Sequence, residues 1–213
     1  STILTYLLKP NHTWTVGFAQ NNEFNWSDLA SKTLKSIHYK IKVDKKTFLK
    51  NLNFMINERG EPLSVPNEVI IFLMTKKVKS KNKVVLSGEG ADELFFGYDR
   101  VFKWAHKSKT LDLKIFDKLY TYGSNIDFEV VDFALENLPG NKVIDKISYF
   151  FQIYHLHGLL RRLDFATMLC SVEARVPFVD HRLVELTAGT PFEWKMGYSF
   201  KEPLKRIFSD ILQ

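Results

Sequence analysis

The sequence predicts an α/β fold, a mainly parallel sheet with helices on its faces followed by a helix-rich C-terminal part. Three observations lead there. Helical and strand patterns alternate over the first hundred residues. An apolar strand, Lys83-Val84-Val85-Leu86, runs directly into a glycine-containing turn and a new helical pattern. Beyond residue 100 the strand signals fade, and helical periodicity fills 111–121, 126–138 and 143–170.

Residues 1–10 read as a helix, with Ile3, Leu4, Leu7 and Leu8 on one face and Pro10 as its stop. Residues 13–18 read as a strand, with Gly17 near its end, and 19–25 as a polar loop. A helix over 26–37 and a short strand over 38–43 follow. Asp44 is placed to cap a helix running to Asn57, because its carboxylate can accept from the first free backbone N–H groups. After the loop 58–65, which holds Gly60, a helix is predicted over 66–79. Then come the strand 83–86, the turn Ser87-Gly88-Glu89-Gly90 and a helical pattern from Asp92 onward. Pro139-Gly140 breaks the helical C-terminal part. There is no internal repeat or low-complexity tract, and the change near residue 100 reads as a change of layer within one domain, 1–213.

Composition narrows the function classes. Hydrophobic residues make up 45% and charged ones 25%, ordinary for a globular protein, and 18 Phe supply ample core surface. The net charge of +6 raises the question of an anionic partner. The lysines are scattered, however, as in Lys45-Lys46 and Lys76-Lys77, without the basic and aromatic interleaving of an RNA reader. A solvated lysine-rich surface is therefore expected, with no nucleic acid as partner. One cysteine, Cys170, excludes an internal disulfide, and its apolar surroundings suit a small buried residue. No apolar run reaches membrane-spanning length and no secretory leader pattern opens the chain, so a cytoplasmic protein without a membrane partner is expected.

The chemistry gathers at Leu86-Ser87-Gly88-Glu89-Gly90-Ala91-Asp92-Glu93-Leu94-Phe95-Phe96-Gly97-Tyr98. A strand ending in such a turn lies where open parallel sheets bind ligands, beyond the carboxyl ends of the strands. Gly88 and Gly90 permit tight, positive-φ geometry and close backbone approach, and the N–H groups opening the next helix can receive an anion. Glu89, Asp92 and Glu93 crowd three carboxylates into five residues. Either a cation or a proton is handled there, or the acids complement a helix N-terminus.

This string closely resembles the signature of asparagine synthetases. Two further blocks fall in the same order: Arg162-Leu163-Asp164 with Ser171 to Leu183, which includes Val172-Glu173-Ala174-Arg175-Val176-Pro177-Phe178-Val179-Asp180, and the lysine-bearing tail Lys201 to Phe208. Val179 stands where that family usually has Leu, while Glu61-Pro62 and the strand Trp14 to Phe18 also fall in family order. The resemblance implies a sheet of the adenine-nucleotide alpha hydrolase (ATP-pyrophosphatase) type. It also implies an enzyme using ATP and Mg2+ to activate the β-carboxylate of aspartate. Ammonia then attacks β-aspartyl-AMP, releasing AMP and forming asparagine. By position, Glu89 resembles the base that takes a proton from the ammonia adduct, and Asp92 the magnesium ligand beside pyrophosphate. Lys201 resembles the lysine balancing charge on the α-phosphate, and Val16, Ser87 and Gly88 the nucleotide-contacting positions. Arg175 and Asp180 either sit near the cleft or form a buried ion pair. His155 and His157, two apart on a helix, face away from each other and suit structure better than metal.

The family's Ser-Gly-Gly-x-Asp-Ser loop is expected before the first helix, and the chain opens Ser1-Thr2-Ile3-Leu4, where that helix begins. The loop's glycines and aspartate, a first strand and the glutaminase domain that supplies ammonia would all precede it, so adenylation by this chain alone is expected to be weak or nil. A homodimer is compatible with the family. Two other readings compete: an amidotransferase acting on another carboxylate, and a non-catalytic synthetase-like interaction module. The presence of Glu89, Asp92 and Lys201 together speaks against the second. β-Lactam-forming relatives of that family tend to place Tyr where Glu89 stands, which disfavours that variant of the reading.

Overall fold

The computed structural model describes residues 1–121, 126–197 and 200–209. The chain begins with α1 (Thr2–Leu8), β1 (His12–Phe18), α2 (Phe24–Thr33), β2 (Ile37–Val43), α3 (Lys45–Arg59), α4 (Asn67–Val78) and β3 (Val84–Leu86). Helices α5 (Ala91–Leu94), α6 (Asp99–Lys107), α7 (Leu113–Tyr120), α8 (Phe128–Glu136) and α9 (Val143–Phe150) follow. A π-helical turn, Phe151–His155, joins α9 to α10 (Leu156–Met168). The chain continues with β4 (Glu173–Arg175), a 3-10 turn over Pro177–Val179, α11 (His181–Ala188), α12 (Phe192–Met196) and α13 (Glu202–Ile207).

Asp44 does cap α3, accepting from the Thr47 N–H at 2.8 Å, and Lys9, just before Pro10, ends α1 in the left-handed region. Three local outcomes differ from the sequence pattern. Helix α2 ends at Thr33, because the Leu34–Ser36 turn, with Lys35 at φ 54°, releases Ile37 to open β2 opposite His12. The helix expected from Asp92 onward stops at Leu94. Phe96 adopts φ 56° and the Gly97 N–H bonds the Asp92 carbonyl at 2.8 Å, which closes the turn. Strand β4 appears beyond the last predicted helical segment, in a part expected to be mostly helical and assigned no strand.

Both strand pairs are parallel. β1 pairs with β2 from His12↔Ile37 to Phe18↔Val43, and β3 pairs with β4 from Val84↔Glu173 to Leu86↔Arg175. Among the described residues these are two separate two-stranded sheets and not one mainly parallel sheet.

The chain divides into two compact units, crossing between them at Gly88–Glu89, Gly158–Leu159 and Pro177–Phe178. The first unit comprises Ser1–Gly88 and Leu159–Pro177. Its core is built on α4, whose Val69, Phe72, Leu73 and Val78 pack with Val43, Met55, Ala166, Cys170 and Val172. Burying each large apolar side chain contributes about 1.5–3 kcal/mol relative to exposure. Glu68, fully buried on α4, accepts from Arg59 at 3.0 Å and from the Ser64 and Val65 N–H groups at 2.9 and 3.3 Å. It thereby ties the 58–65 loop to the helix.

The second unit comprises Glu89–Gly158 and Phe178–Gln213. Its core is aromatic and centred on α6 and α9. Phe96 stacks on Phe102 at 4.2 Å, Phe102 leans on Phe151 at 5.1 Å, and Phe116 meets Phe150 edge-on at 5.3 Å. Offset and edge-on pairs of this kind add specific attraction to their area burial. The positive φ of Gly140 (97°) makes the break expected at Pro139-Gly140. No helix among the described residues is long and apolar enough to cross a membrane.

Candidate functional site

In the first unit, the Ser87 N–H donates to the Arg175 carbonyl at 2.9 Å, extending the β3–β4 ladder by one bond. Gly88 follows with Ser1 against it, so that a Cβ there would stand 3.0 Å from the Ser1 backbone nitrogen and 3.1 Å from its Oγ. Of the two glycines expected to take positive φ, only Gly90 does, at 92°. Close approach is the demand at Gly88. Val16 lies mid-strand on β1 opposite Ile41, partly buried and packed against the first unit's core.

The second unit carries the rest. Gly90 caps α5, and a Cβ there would meet Val179 Cγ2 at 2.5 Å as well as being strained. With only four residues, α5 offers too little aligned backbone for the macrodipole to explain three acids. Their environments separate them. Glu93 is buried (1% exposed) and accepts from the Tyr98 hydroxyl at 2.6 Å. Burial pushes its carboxyl up from the ordinary range, with the Tyr98 bond opposing. Burial and the Glu93 charge in turn push the Tyr98 phenol up. The Tyr98 oxygen lies 3.2 Å from His155 Nε2, and His155 Nδ1 lies 2.8 Å from the Tyr120 hydroxyl. Glu93 and His155 therefore belong to a polar cluster beneath the turn, while His157 is exposed.

Asp92 faces the other way, partly exposed, and pairs with Lys201 Nζ at 2.7 Å. Lys201 immediately precedes α13 with φ 56°, and its N–H donates to the Phe95 carbonyl at 3.1 Å. The backbone of the turn thus fixes the lysine whose side chain reaches the turn's carboxylate. Gly97 makes room for this: a Cβ there would collide with the Asp92 carboxylate and come within 2.7 Å of Lys201 Cε. Phe96 and Lys201, both non-glycine residues at positive φ, mark a backbone held in a costly conformation on both sides of the pair. Glu89 is partly buried and lies near enough to act electrostatically on Glu93 and Tyr98.

The structure thus brings together Asp92 and Lys201, from sequence blocks more than a hundred residues apart, and sets Glu89 on the same turn as Asp92. Arg175 and Asp180 form no buried pair. Arg175 binds Glu173 at 2.7 Å in the open, and Asp180 caps α11 while binding Arg182 at 2.9 Å, which holds its carboxyl down to about 2. Among the described residues, no group of three or more His, Cys, Asp and Glu side chains could hold a metal ion. Gly97 and Tyr98 were visible in the signature, but their roles depend on contacts that the pattern does not encode.

Comparison with known proteins is consistent across the chain. The family model described as asparagine synthase matches residues 1–213. The glutamine-hydrolysing asparagine synthetase 3 of Bacillus subtilis is 25% identical over 88% of the chain and 35% of its own length. The glutamine-hydrolysing asparagine synthetase 2 of Oryza sativa is 26% identical over 95% of the chain and 28% of its own length. A putative glutamine-hydrolysing asparagine synthetase 1 of Methanocaldococcus jannaschii is 33% identical over 57% of the chain. The chain thus spans about a third or less of the length of these relatives.

Proposed function

Because the chain belongs to the asparagine synthase family, we propose that it supplies the synthetase chemistry of an ATP-dependent, amide-forming ligase acting on aspartate. The observation that carries this reading is the Asp92–Lys201 pair, 2.7 Å apart beside a turn with no space for a side chain at Gly97. A carboxylate and an ammonium held together on a strained backbone suit a site that handles both a divalent cation and a phosphate. The parallel strand pairs, with Ser87 and Gly88 just beyond the end of β3, are compatible with a sheet of the ATP-pyrophosphatase type.

In this reading Ser87 and Gly88 let the nucleotide approach the backbone closely, and Val16 borders the base. The residues fit magnesium: Asp92 is a hard oxygen donor, and Mg2+ usually takes one or two carboxylates, completing its shell with water and substrate phosphate. Bound there, the ion would neutralise charge on the departing pyrophosphate. Lys201, released from Asp92, turns its ammonium to the α-phosphate as the aspartate β-carboxylate oxygen bonds to phosphorus and the α–β phosphoanhydride breaks. Ammonia then bonds to the acyl carbon of β-aspartyl-AMP, Glu89 takes the proton, and AMP leaves with the acyl C–O electron pair. In the relatives' arrangement, that ammonia comes from glutamine hydrolysis.

The test is Glu89→Gln in a protein that supports turnover. ATP binding is expected to persist while amide formation falls by about a hundredfold or more, read as asparagine and AMP released. Unchanged turnover would remove Glu89 from the role of base. A panel of other carboxylic acids in the same assay checks the substrate; preference for another acid would move the reading to a different amide-forming ligase.

A further inference from the structure

The second unit contains a cavity of about 240 Å³ that the proposed reaction does not use. One wall carries Lys195 and Thr190, and another carries Asp145, Ser148 and Gln152 of α9 and the π-helical turn; Ile144, Tyr149 and Phe192 add apolar surface. Lys195 is only 4% exposed. Its Nζ donates to the Thr187 carbonyl at 2.7 Å and lies 4.6 Å from the centre of the Phe96 ring. A carbonyl and a ring face neutralise little of a buried charge, and no carboxylate among the described residues lies within ion-pair distance of it. Asp145 is the charge that acts on Lys195 from across the cavity, too far away for an ion pair.

The hydrogen bonds on the cavity wall have a direction. Gln152 Nε2 donates to Ser148 Oγ at 3.2 Å, which leaves the Ser148 O–H as a donor on the cavity wall. Thr190 already donates to the Leu186 carbonyl at 2.7 Å, which leaves its oxygen as an acceptor. The space therefore offers a cation, a carboxylate, a spare donor and a spare acceptor above an apolar floor. Its volume lies below the roughly 300–1,000 Å³ of sites for drug-sized ligands, which argues against a nucleotide.

We propose that this cavity binds a small free α-amino acid as its zwitterion, with the carboxylate at Lys195 and Ser148 and the ammonium at Asp145 and Thr190. An apolar side chain would lie against Ile144, Tyr149 and Phe192. This is a separate site from the Asp92–Lys201 pair and does not depend on the reaction proposed there.

Calorimetric titration of the purified protein tests it, with L-leucine as probe. L-Leucinamide lacks the carboxylate and N-acetyl-L-leucine lacks the ammonium. Both are expected to bind at least about tenfold more weakly than leucine, the loss that follows from removing one partner of a buried charged contact. Lys195→Met and Asp145→Asn should each weaken leucine by a similar factor; Asp145 also accepts from the Lys142 N–H at 3.4 Å where α9 begins, a bond that asparagine can keep should the methionine variant fold poorly. Asp92→Asn should leave leucine binding unchanged. Absence of leucine binding, equal binding of the blocked forms, or full binding by both cavity variants would overturn the proposal. Loss of binding in Asp92→Asn would also overturn it, by moving the ligand to the other site.

Discussion

Glu68 and Lys195 are both charges taken out of water, and the protein treats them differently. Glu68 is matched by the Arg59 guanidinium and two backbone N–H groups. Glu68→Ala would leave Arg59 with Glu61 as its remaining ion-pair partner and would untie the 58–65 loop, so it is expected to destabilise by about 1–3 kcal/mol in chemical denaturation. Lys195 has one carbonyl and a ring, and burial pulls its ammonium down from 10.5 to about 8. Between those two values the unfolded chain binds more protons than the folded one, so this group adds stability as pH rises through the window and penalises the fold below it. Lys195→Met is accordingly expected to be more stable than the wild type near neutral pH by about 1–3 kcal/mol. The advantage should shrink toward alkaline pH, as denaturation midpoints of the two proteins at neutral and alkaline pH would show; a constant difference would mean that Lys195 keeps its proton in the folded protein as firmly as in the unfolded chain. Nothing in the sequence around Lys195 signals burial. Pro191-Phe192-Glu193-Trp194 reads as an ordinary amphipathic turn, and the desolvation comes from α9 and Phe96, far away in the chain.

At the scale of elements, the turn between β3 and α6 is the feature that matters most. The sequence showed that a strand would run into a glycine turn, because the apolar run and the glycines are local signals. It did not show that α5 would last four residues, since the helical pattern continues unbroken through Phe96 and Gly97. The break is tertiary: Lys201 and Phe95 share a backbone bond, and Asp92 needs the volume above Gly97. Gly97→Ala should therefore separate Asp92 from Lys201. In a protein that supports the proposed reaction, adenylation measured as pyrophosphate exchange is expected to fall by about a hundredfold, the scale on which misplaced catalytic groups lose rate, while the aromatic core keeps the unit folded. Retained exchange would show that the pair adapts. Strand β4 went unread for a different reason. Its three residues are too few for alternation to register, and Glu173 and Arg175 lie outward and bind each other.

For the whole molecule, alternation of helix and strand was enough to predict an α/β protein, and three ordered blocks pointed to the family that the comparisons support. Two compact units with three crossings between them were not legible, because composition changes near residue 100 while the first crossing is at Gly88–Glu89. Contacts between distant segments decide such boundaries, and a local pattern carries no record of them. The first unit depends on its returning segment: Ala166, Cys170 and Val172 are core residues, and β4 is the only partner of β3 among the described residues. A fragment of residues 1–88 is therefore expected to lack a cooperative thermal transition by circular dichroism. A sharp transition would mean that residues 159–177 are dispensable.

The pairing of β3 with β4 also bears on biosynthesis. β1 meets its partner after one short helix, whereas β3 leaves the ribosome long before β4 has been translated. At roughly 5–20 residues per second, that leaves the β3 backbone unpaired for several seconds on the nascent chain, together with the apolar surface that Ala166, Cys170 and Val172 will later cover. The N-terminal segment is thus an expected client for chaperones during translation, and slowing elongation between codons 89 and 158 should lower the soluble yield even though no residue is changed.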